Sequence, residues 1–438
     1  MLDDPEVPSP QLVGRNKRSN KSGRANSVFS AGVMTLATLA VFFSVGPFND
    51  QLIRSSNGGF DQVQQYLTIF LWSATGIMSI LGPLSRRAGK IPVGLSAFYA
   101  YSALSGAWAE KVEDGLLKGA ILLVVAVMVY LSTFSLDLKK MMKCVKIATL
   151  ILCALSWPIA ILMPSIGTSG SYYHTGAWEG IFNSKQALGI SGAFLAFASM
   201  NDFIDRSARQ KFSRLLSNLL ASVFGITTCV MSESRGAAAI VIVAIFMAYI
   251  GKNLANIRKV FVTIPLLTLI AASAMIAYIA GTGHNGFYII GQEITLTQRT
   301  LIWSHAIHHW LDQPLLGFGL NGFWTVDKFN SEFLGQYGWF IANFHSGYVA
   351  VLTEVGIIGY VLFFLMTFFL CIRLLSGLSY NKYDEYSKFV LVVGVVIIYT
   401  LNLTETFFLR STNFLNCFLL FIIFKAYGSS EPVLSPKV

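Results

Sequence analysis

Between Ser27 and Tyr427 the sequence breaks into apolar runs of about 17 to 25 residues, the length that crosses the hydrocarbon of a bilayer as a helix. Nothing else restricts the fold so severely, because backbone N–H and C=O groups in lipid must find their partners inside the protein. Composition agrees: 54% of the 438 residues are hydrophobic and 12% are charged, against roughly 25% charged in an ordinary soluble chain. The runs predict twelve spans, near 27–48, 63–82, 92–108, 117–135, 147–166, 186–203, 215–231, 236–251, 260–280, 346–372, 388–404 and 411–427. The expected fold is all-α: one polytopic membrane domain over 27–427, with tails at 1–26 and 428–438.

Lysine and arginine orient the spans. Basic residues gather in the tail (Arg15, Lys17, Arg18, Lys21, Arg24) and in alternate loops, for example Lys139, Lys140, Lys143 and Lys146. The positive-inside rule then puts both termini in the cytoplasm. The net charge of +10 is mostly topology, and its spread over many stretches excludes a nucleic-acid patch. The tail is too long and polar for the first span to be a cleaved signal peptide. The five cysteines lie in or beside apolar runs without metal-ligand spacing, which predicts small buried hydrophobes.

Most loops are short, but 281–345 forms one long segment on the predicted outer side, the kind of loop that usually carries function. Within it "TLTQRTLIWSHAIHHWLDQPLLG" predicts a moderately amphipathic helix ending near Pro314, lying on or dipping into the outer interface.

In so apolar a chain, "MSESRGAAAIVIVAIF" (231–246) spends Glu233 and Arg235 at the threshold of a span. Ionised side chains are costly there and mark function or tight pairing. On the predicted topology Ser232, Ser234 and Arg235 sit at an outer helix N-terminus. Unpaired N–H groups, a capping serine and a bidentate guanidinium there make a site for phosphate. Snorkelling of Arg235 to the headgroups, or its pairing with Glu233, is the plain alternative. Arg299 in the long loop, His345 before the tenth span, Arg410 at the twelfth, and the carboxylates Glu354 and Glu405 add to the same face. Together they predict a polar outward cavity able to hold a pyrophosphate whose lipid tail stays in the membrane.

"SESRGA" (232–237), "QRTLIW" (298–303), "PLLGFGLNGF" (314–323) and "FHSGYVAVLTEVGIIGYVLF" (344–363) resemble, in order, the signature of the O-antigen ligase and bacterial polysaccharide polymerase family. "GIFNSKQALG" (180–189) resembles a further element of it, with Gln186 where asparagine is usual; Tyr348 and Val349 stand near the family's common leucine. The resemblance covers roughly 180–410. It implies a lipid-phosphosugar glycosyltransferase (GT-C-like) fold, active at the periplasmic face of a bacterial inner membrane. The donor would be an undecaprenyl-pyrophosphate-linked oligosaccharide and the reaction an inverting, metal-independent transfer to a sugar hydroxyl. The family's pyrophosphate-binding arginines fall on Arg235 and Arg299, and its essential histidine on His345, with Ser232, Ser234, Arg410, Lys185, Glu354 and Glu405 as further substrate-binding candidates. Lys185 and the basic tail lean the reading toward an exopolysaccharide polymerase over a ligase acting on lipid A core. Chain-length regulator and export proteins are conceivable partners; no cofactor is expected.

Two patterns point elsewhere. Gly317, Gly319 and Gly322 satisfy G-x-G-x-x-G, but without a βαβ unit they predict a tight turn after Pro314 instead of a dinucleotide site. His305, His308 and His309 share one helix, yet no partner ligand accompanies them. A transporter of lipid-linked oligosaccharide would show half-to-half symmetry and charges near the midplane, whereas these motifs gather at one face. A non-catalytic assembly protein gives no reason for two arginines and a histidine at one anion site.

Overall fold

The computed structural model describes residues 12–47, 59–82, 90–170, 175–204, 212–250, 255–284, 287–289, 292–294, 296, 298–341 and 343–428. Residues 1–11 of the expected N-terminal tail and 429–438 of the C-terminal tail lie outside them. The described chain is helical apart from a short antiparallel hairpin, Phe287–Ile289 with Gln292–Ile294, in the long loop. Each predicted span coincides with helical backbone. Among the described residues, six helices are long and apolar enough to cross a membrane: Asn26–Ser44, Val112–Ser132, Leu138–Leu162, Phe212–Met231, Asn256–Thr282 and Gly347–Ser379. The five cysteines are free and buried, as their apolar setting predicted.

Helix boundaries follow their caps more than hydropathy. The Leu138–Leu162 helix starts nine residues before the expected span, because Asp137 caps it by accepting from the Lys140 N–H and the basic residues ride on its first turns. Asp384 and Asn413 cap Glu385–Leu401 and Phe414–Tyr427 in the same way.

Those last two helices form the centre of the bundle. Phe414–Tyr427 is apolar all round and buried along almost its whole length, with Phe194 from the Lys185–Ile204 helix packed edge-on against Phe414 at 5.0 Å. By contrast, Gly347–Ser379 exposes Val361, Phe364, Phe368 and Phe369, as a lipid-facing helix does. Small residues bring other helices close: a Cβ on Gly192 would lie 2.6 Å from the Gly225 carbonyl, which locks Lys185–Ile204 against Phe212–Met231.

The long loop carries a core of its own. Its Arg299–Trp310 helix is buried on nearly every side. This corrects the expected interfacial placement. Its own Trp303 and Trp310 pack in one cluster with Phe318, Phe323, Phe329, Phe333 and Phe344, and the Trp303 indole donates to the Phe344 carbonyl at 2.9 Å. Three histidines on one helix gave it a polar look, but the Asp327–Tyr337 helix partners two of them, His305 Nε2 meeting the Phe329 carbonyl at 3.1 Å and His309 Nε2 meeting Glu332 at 3.0 Å, while His308 Nδ1 turns back to the Ser304 carbonyl at 2.7 Å.

Candidate functional site

Several breaks in helical backbone converge at one end of the bundle, and each carries a predicted site residue. The break after Met231 is a turn in which the Ser232 hydroxyl donates to the Cys229 carbonyl and Glu233 takes a left-handed φ of 49°. Ser232 thus closes the preceding helix and does not cap the next one. Ser232 and Ser234 are buried because Gly189 leaves room for them: a Cβ there would lie within 2.6 Å of both side chains. The Trp178 N–H holds the turn by donating to the Met231 carbonyl at 3.0 Å.

This packing sets Lys185, at the start of its helix and 7% exposed, within electrostatic reach of Glu233, Arg235 and Glu179. Arg235 itself is exposed and forms no ion pair among the described residues, so the expected alternative of pairing with Glu233 is not what the structure shows. Burial pushes the Glu179 carboxyl above the usual carboxylate range, against the opposing pull of Ser169 and Lys185.

The second group is built around the turn after Leu401. Asn402, fully buried, organises it: its side-chain oxygen accepts the N–H groups of Phe407 and Phe408, while its carbonyl accepts from Gly347 N–H at 2.8 Å. Gly347 is required by this contact, since a Cβ would collide with the Asn402 side chain. The turn therefore ties the start of Gly347–Ser379 to the segment bearing Glu405 and Arg410. Glu405 sits between two predicted residues: one carboxylate oxygen accepts from Arg299 Nη2 at 3.0 Å and the other faces His345 Nδ1 at 3.6 Å. The first group abuts the second, as a Cβ at Gly236 would lie 3.4 Å from Leu401.

Arg410 and Glu354 form a third pair. The guanidinium donates to both carboxylate oxygens, at 2.9 and 3.0 Å, and to the Asn321 side-chain oxygen at 2.6 Å. Glu354 is 2% exposed and lies two residues before Gly356, whose φ of 65° breaks the helix. The glycines after Pro314 fit into that break: the Phe318 N–H donates to the Thr353 carbonyl and the Ile357 N–H to the Pro314 carbonyl. Gly317 and Gly319 have φ of 67° and 82° and would strike backbone atoms at 2.6 Å if they carried a Cβ. The turn expected from G-x-G-x-x-G is thus a device for seating Asn321 on Arg410.

Strain marks the same places. Glu233, Gln298, Asn321, His345 and Leu409 all have positive φ without being glycine. Each stands in or directly before a segment bearing Arg235, Arg299, the Arg410 contact, His345 or Arg410. Left-handed backbone costs such residues about 1–2 kcal/mol apiece and persists where surrounding structure holds it.

The carboxylates, whose place in apolar runs marked function or tight pairing, are partners of the cations: Glu405 belongs to Arg299 and His345, Glu354 to Arg410. Sequence reading missed Asn321, Asn343, Asn402 and Thr406. The visible signal was "TLNLTETFFLRSTN" (400–413), a polar stretch splitting two apolar runs, whose asparagine and threonine suit a turn. Among the described residues no cluster of three or more histidines, cysteines or carboxylates is arranged to hold a metal ion, and His305, His308 and His309 turn to separate partners. Residues 220–364, which include Arg235, Arg299, His345 and Glu354, match the model of the O-antigen ligase family. No curated protein matches the chain.

Proposed function

We propose that this multi-pass membrane protein, a member of the O-antigen ligase family through residues 220–364, polymerises lipid-pyrophosphate-linked oligosaccharide repeat units into exopolysaccharide. One observation carries the reading: Glu405 bridges Arg299 and His345 at the end of the bundle where Arg235 stands unpaired. In this reading Arg235, supported by Lys185 and the Ser232–Ser234 turn, receives the donor pyrophosphate. Arg299 reaches it from the other side.

The acceptor hydroxyl gives its proton to His345 Nε2, its oxygen attacks the anomeric carbon from the face opposite the pyrophosphate, and the C–O bond to phosphate breaks with inversion. Undecaprenyl pyrophosphate leaves, its growing charge met by fixed guanidiniums. Glu405, facing Nδ1 at 3.6 Å, orients the imidazole. The fold would be GT-C-like with twelve spans, both termini cytoplasmic, and the site at the periplasmic face of the bacterial inner membrane.

A deletion strain tests the reaction. Loss of high-molecular-weight exopolysaccharide, with single repeat units accumulating on lipid, supports the polymerase. The name of the matched family favours a second reading, transfer of finished polymer to lipid A core. Intact polymer left on undecaprenyl pyrophosphate beside bare core would decide for it. Sidedness is read from Lys328→Cys, an exposed position in a protein whose own cysteines are buried. An impermeant thiol reagent should label it in intact spheroplasts, and labelling only after permeabilisation would invert the topology.

A further inference from the structure

Beside the catalytic end lies a cleft of about 560 Å³, walled by the Lys111–Lys118 stretch, the 320–325 turn, Asn343 and the Thr406–Arg410 turn. We propose that this cleft binds the acceptor glycan, an inference that rests on the glycosyl-transfer reading. Its position argues first. Asn343 accepts the His345 backbone N–H at 3.2 Å, and Thr406 follows Glu405, so two wall residues belong to the segments that carry the imidazole and its carboxylate.

Chemistry argues second. The lining offers the amides of Asn321 and Asn343, the Asp114 carboxylate, the Lys111 ammonium, and the Trp324 indole, which is the mixture of planar hydrogen-bonding groups and an aromatic face that a hydroxylated ring needs. Thr406 is 8% exposed, and among the described residues neither its hydroxyl nor the Trp324 indole N–H finds a hydrogen-bond partner. Buried polar groups are rarely left so. The strongest charge in the wall is already spent, because Glu354 and Asn321 hold Arg410. The cleft's volume lies within the roughly 300–1,000 Å³ of sites that hold organic ligands and admits more than one sugar ring.

The walls come from four separate stretches and are rigid. Ser105 accepts the Leu320 N–H at 2.9 Å, and a Cβ on Gly319 would strike the Ser105 carbonyl at 2.6 Å, so the loop turn is pressed onto the segment leading to Lys111.

The test uses purified protein in nanodiscs, titrated by calorimetry with two probes: oligosaccharide repeat units released from the host's polysaccharide, and the host's lipopolysaccharide core oligosaccharide. Saturable binding of one of them is expected, weakened at least tenfold by Lys111→Met and by Asp114→Asn, both exposed positions. Arg235→Ala should leave it unchanged. Saturable binding of neither probe, or binding equal in both cleft variants, overturns the proposal. Transfer assays on the same preparations separate it from the reading beneath it. Transfer with unaltered acceptor KM in the cleft variants removes the acceptor site alone, whereas cleft-dependent glycan binding without any transfer by the wild type removes the transferase.

Discussion

Arg235 and Arg299 occupy equivalent places in the sequence resemblance, yet the fold treats them in opposite ways. Arg299 is held by Glu405 and three-quarters covered, on a helix sealed beneath an aromatic loop. Arg235 stands exposed on a strained turn, forms no ion pair among the described residues and lies within electrostatic reach of Lys185. A guanidinium already satisfied by a carboxylate in a fixed arrangement serves mainly to position its neighbours. One without such a partner is available to an incoming anion. In the proposed reaction the two arginines would therefore divide the work: Arg235 would capture the pyrophosphate, while Arg299, besides reaching it, would fix Glu405 and, through it, His345.

The comparison is most directly broken at its two extremes. Arg235→Ala should abolish donor capture and His345→Ala the chemical step, each lowering transfer by roughly 10²–10⁴-fold. The two should differ in kind. Binding of undecaprenyl pyrophosphate, measured by isothermal titration, should fall in Arg235→Ala and be kept in His345→Ala. Equal loss in both would erase the assigned division of labour. Arg235→Lys should recover little, because the planar two-pronged contact is gone.

Next in size is the paired side. Glu354→Ala strands the Arg410 guanidinium, and removing one partner of a buried ion pair costs about 3–5 kcal/mol. Arg410 retains some solvent contact, with its side chain 24% exposed, which places the expectation at the lower end, ~3 kcal/mol. A lower melting temperature in detergent checks it. The double variant Glu354→Ala with Arg410→Ala should recover part of the loss, and strict additivity would show that the two groups do not act as a pair.

How far the sequence foretells this arrangement depends on distance along the chain. Helices are legible because each is specified within its own apolar run and by adjacent caps such as Asp137. The burial of Phe414–Tyr427 is not, since a helix apolar on every face looks the same against lipid as against protein. Motifs named Arg235, Arg299, His345, Glu354, Glu405 and Arg410, but not their pairing. Arg299 meets Glu405 across 106 positions and Arg410 meets Glu354 across 56. Asn402 was illegible for the same reason: its role consists of contacts to Gly347, Phe407 and Phe408, not of any local pattern. The long loop's helix was misplaced at the interface because its cover, the Asp327–Tyr337 helix, carries no signal of where it docks.

A smaller effect sharpens the role of Arg299. Glu405→Gln keeps the shape but removes the charge that holds Arg299 and faces His345. It should lower transfer by about ten- to a hundredfold without weakening undecaprenyl pyrophosphate binding. A fall in undecaprenyl pyrophosphate binding would make Glu405 part of the donor site instead.

The smallest effect concerns acid, which should reach one arginine's setting and not the other's. Burial pushes His305 from 6.5 down to about 4, and His309 is also lowered by burial, with Glu332 and Asp312 pulling it back. Both lie beneath the loop that seals Arg299. A histidine whose folded value is depressed binds fewer protons folded than unfolded, so its contribution is complete above about 6.5 and is lost as pH falls toward about 4. Across that window the loop should lose no more than about 3 kcal/mol of local stability. Hydrogen exchange checks it: amides of Arg299–Trp310 and Asp327–Tyr337 should lose protection between pH 6.5 and 4.5, while those of 228–240 around Arg235 hold theirs after correction for the intrinsic rate. His305→Gln can still donate to the Phe329 carbonyl but does not titrate, so it should flatten most of the slope. An unchanged slope in that variant would place the acid sensitivity in His309, where the cost of charging a buried imidazole is only partly offset by Glu332 at 3.0 Å.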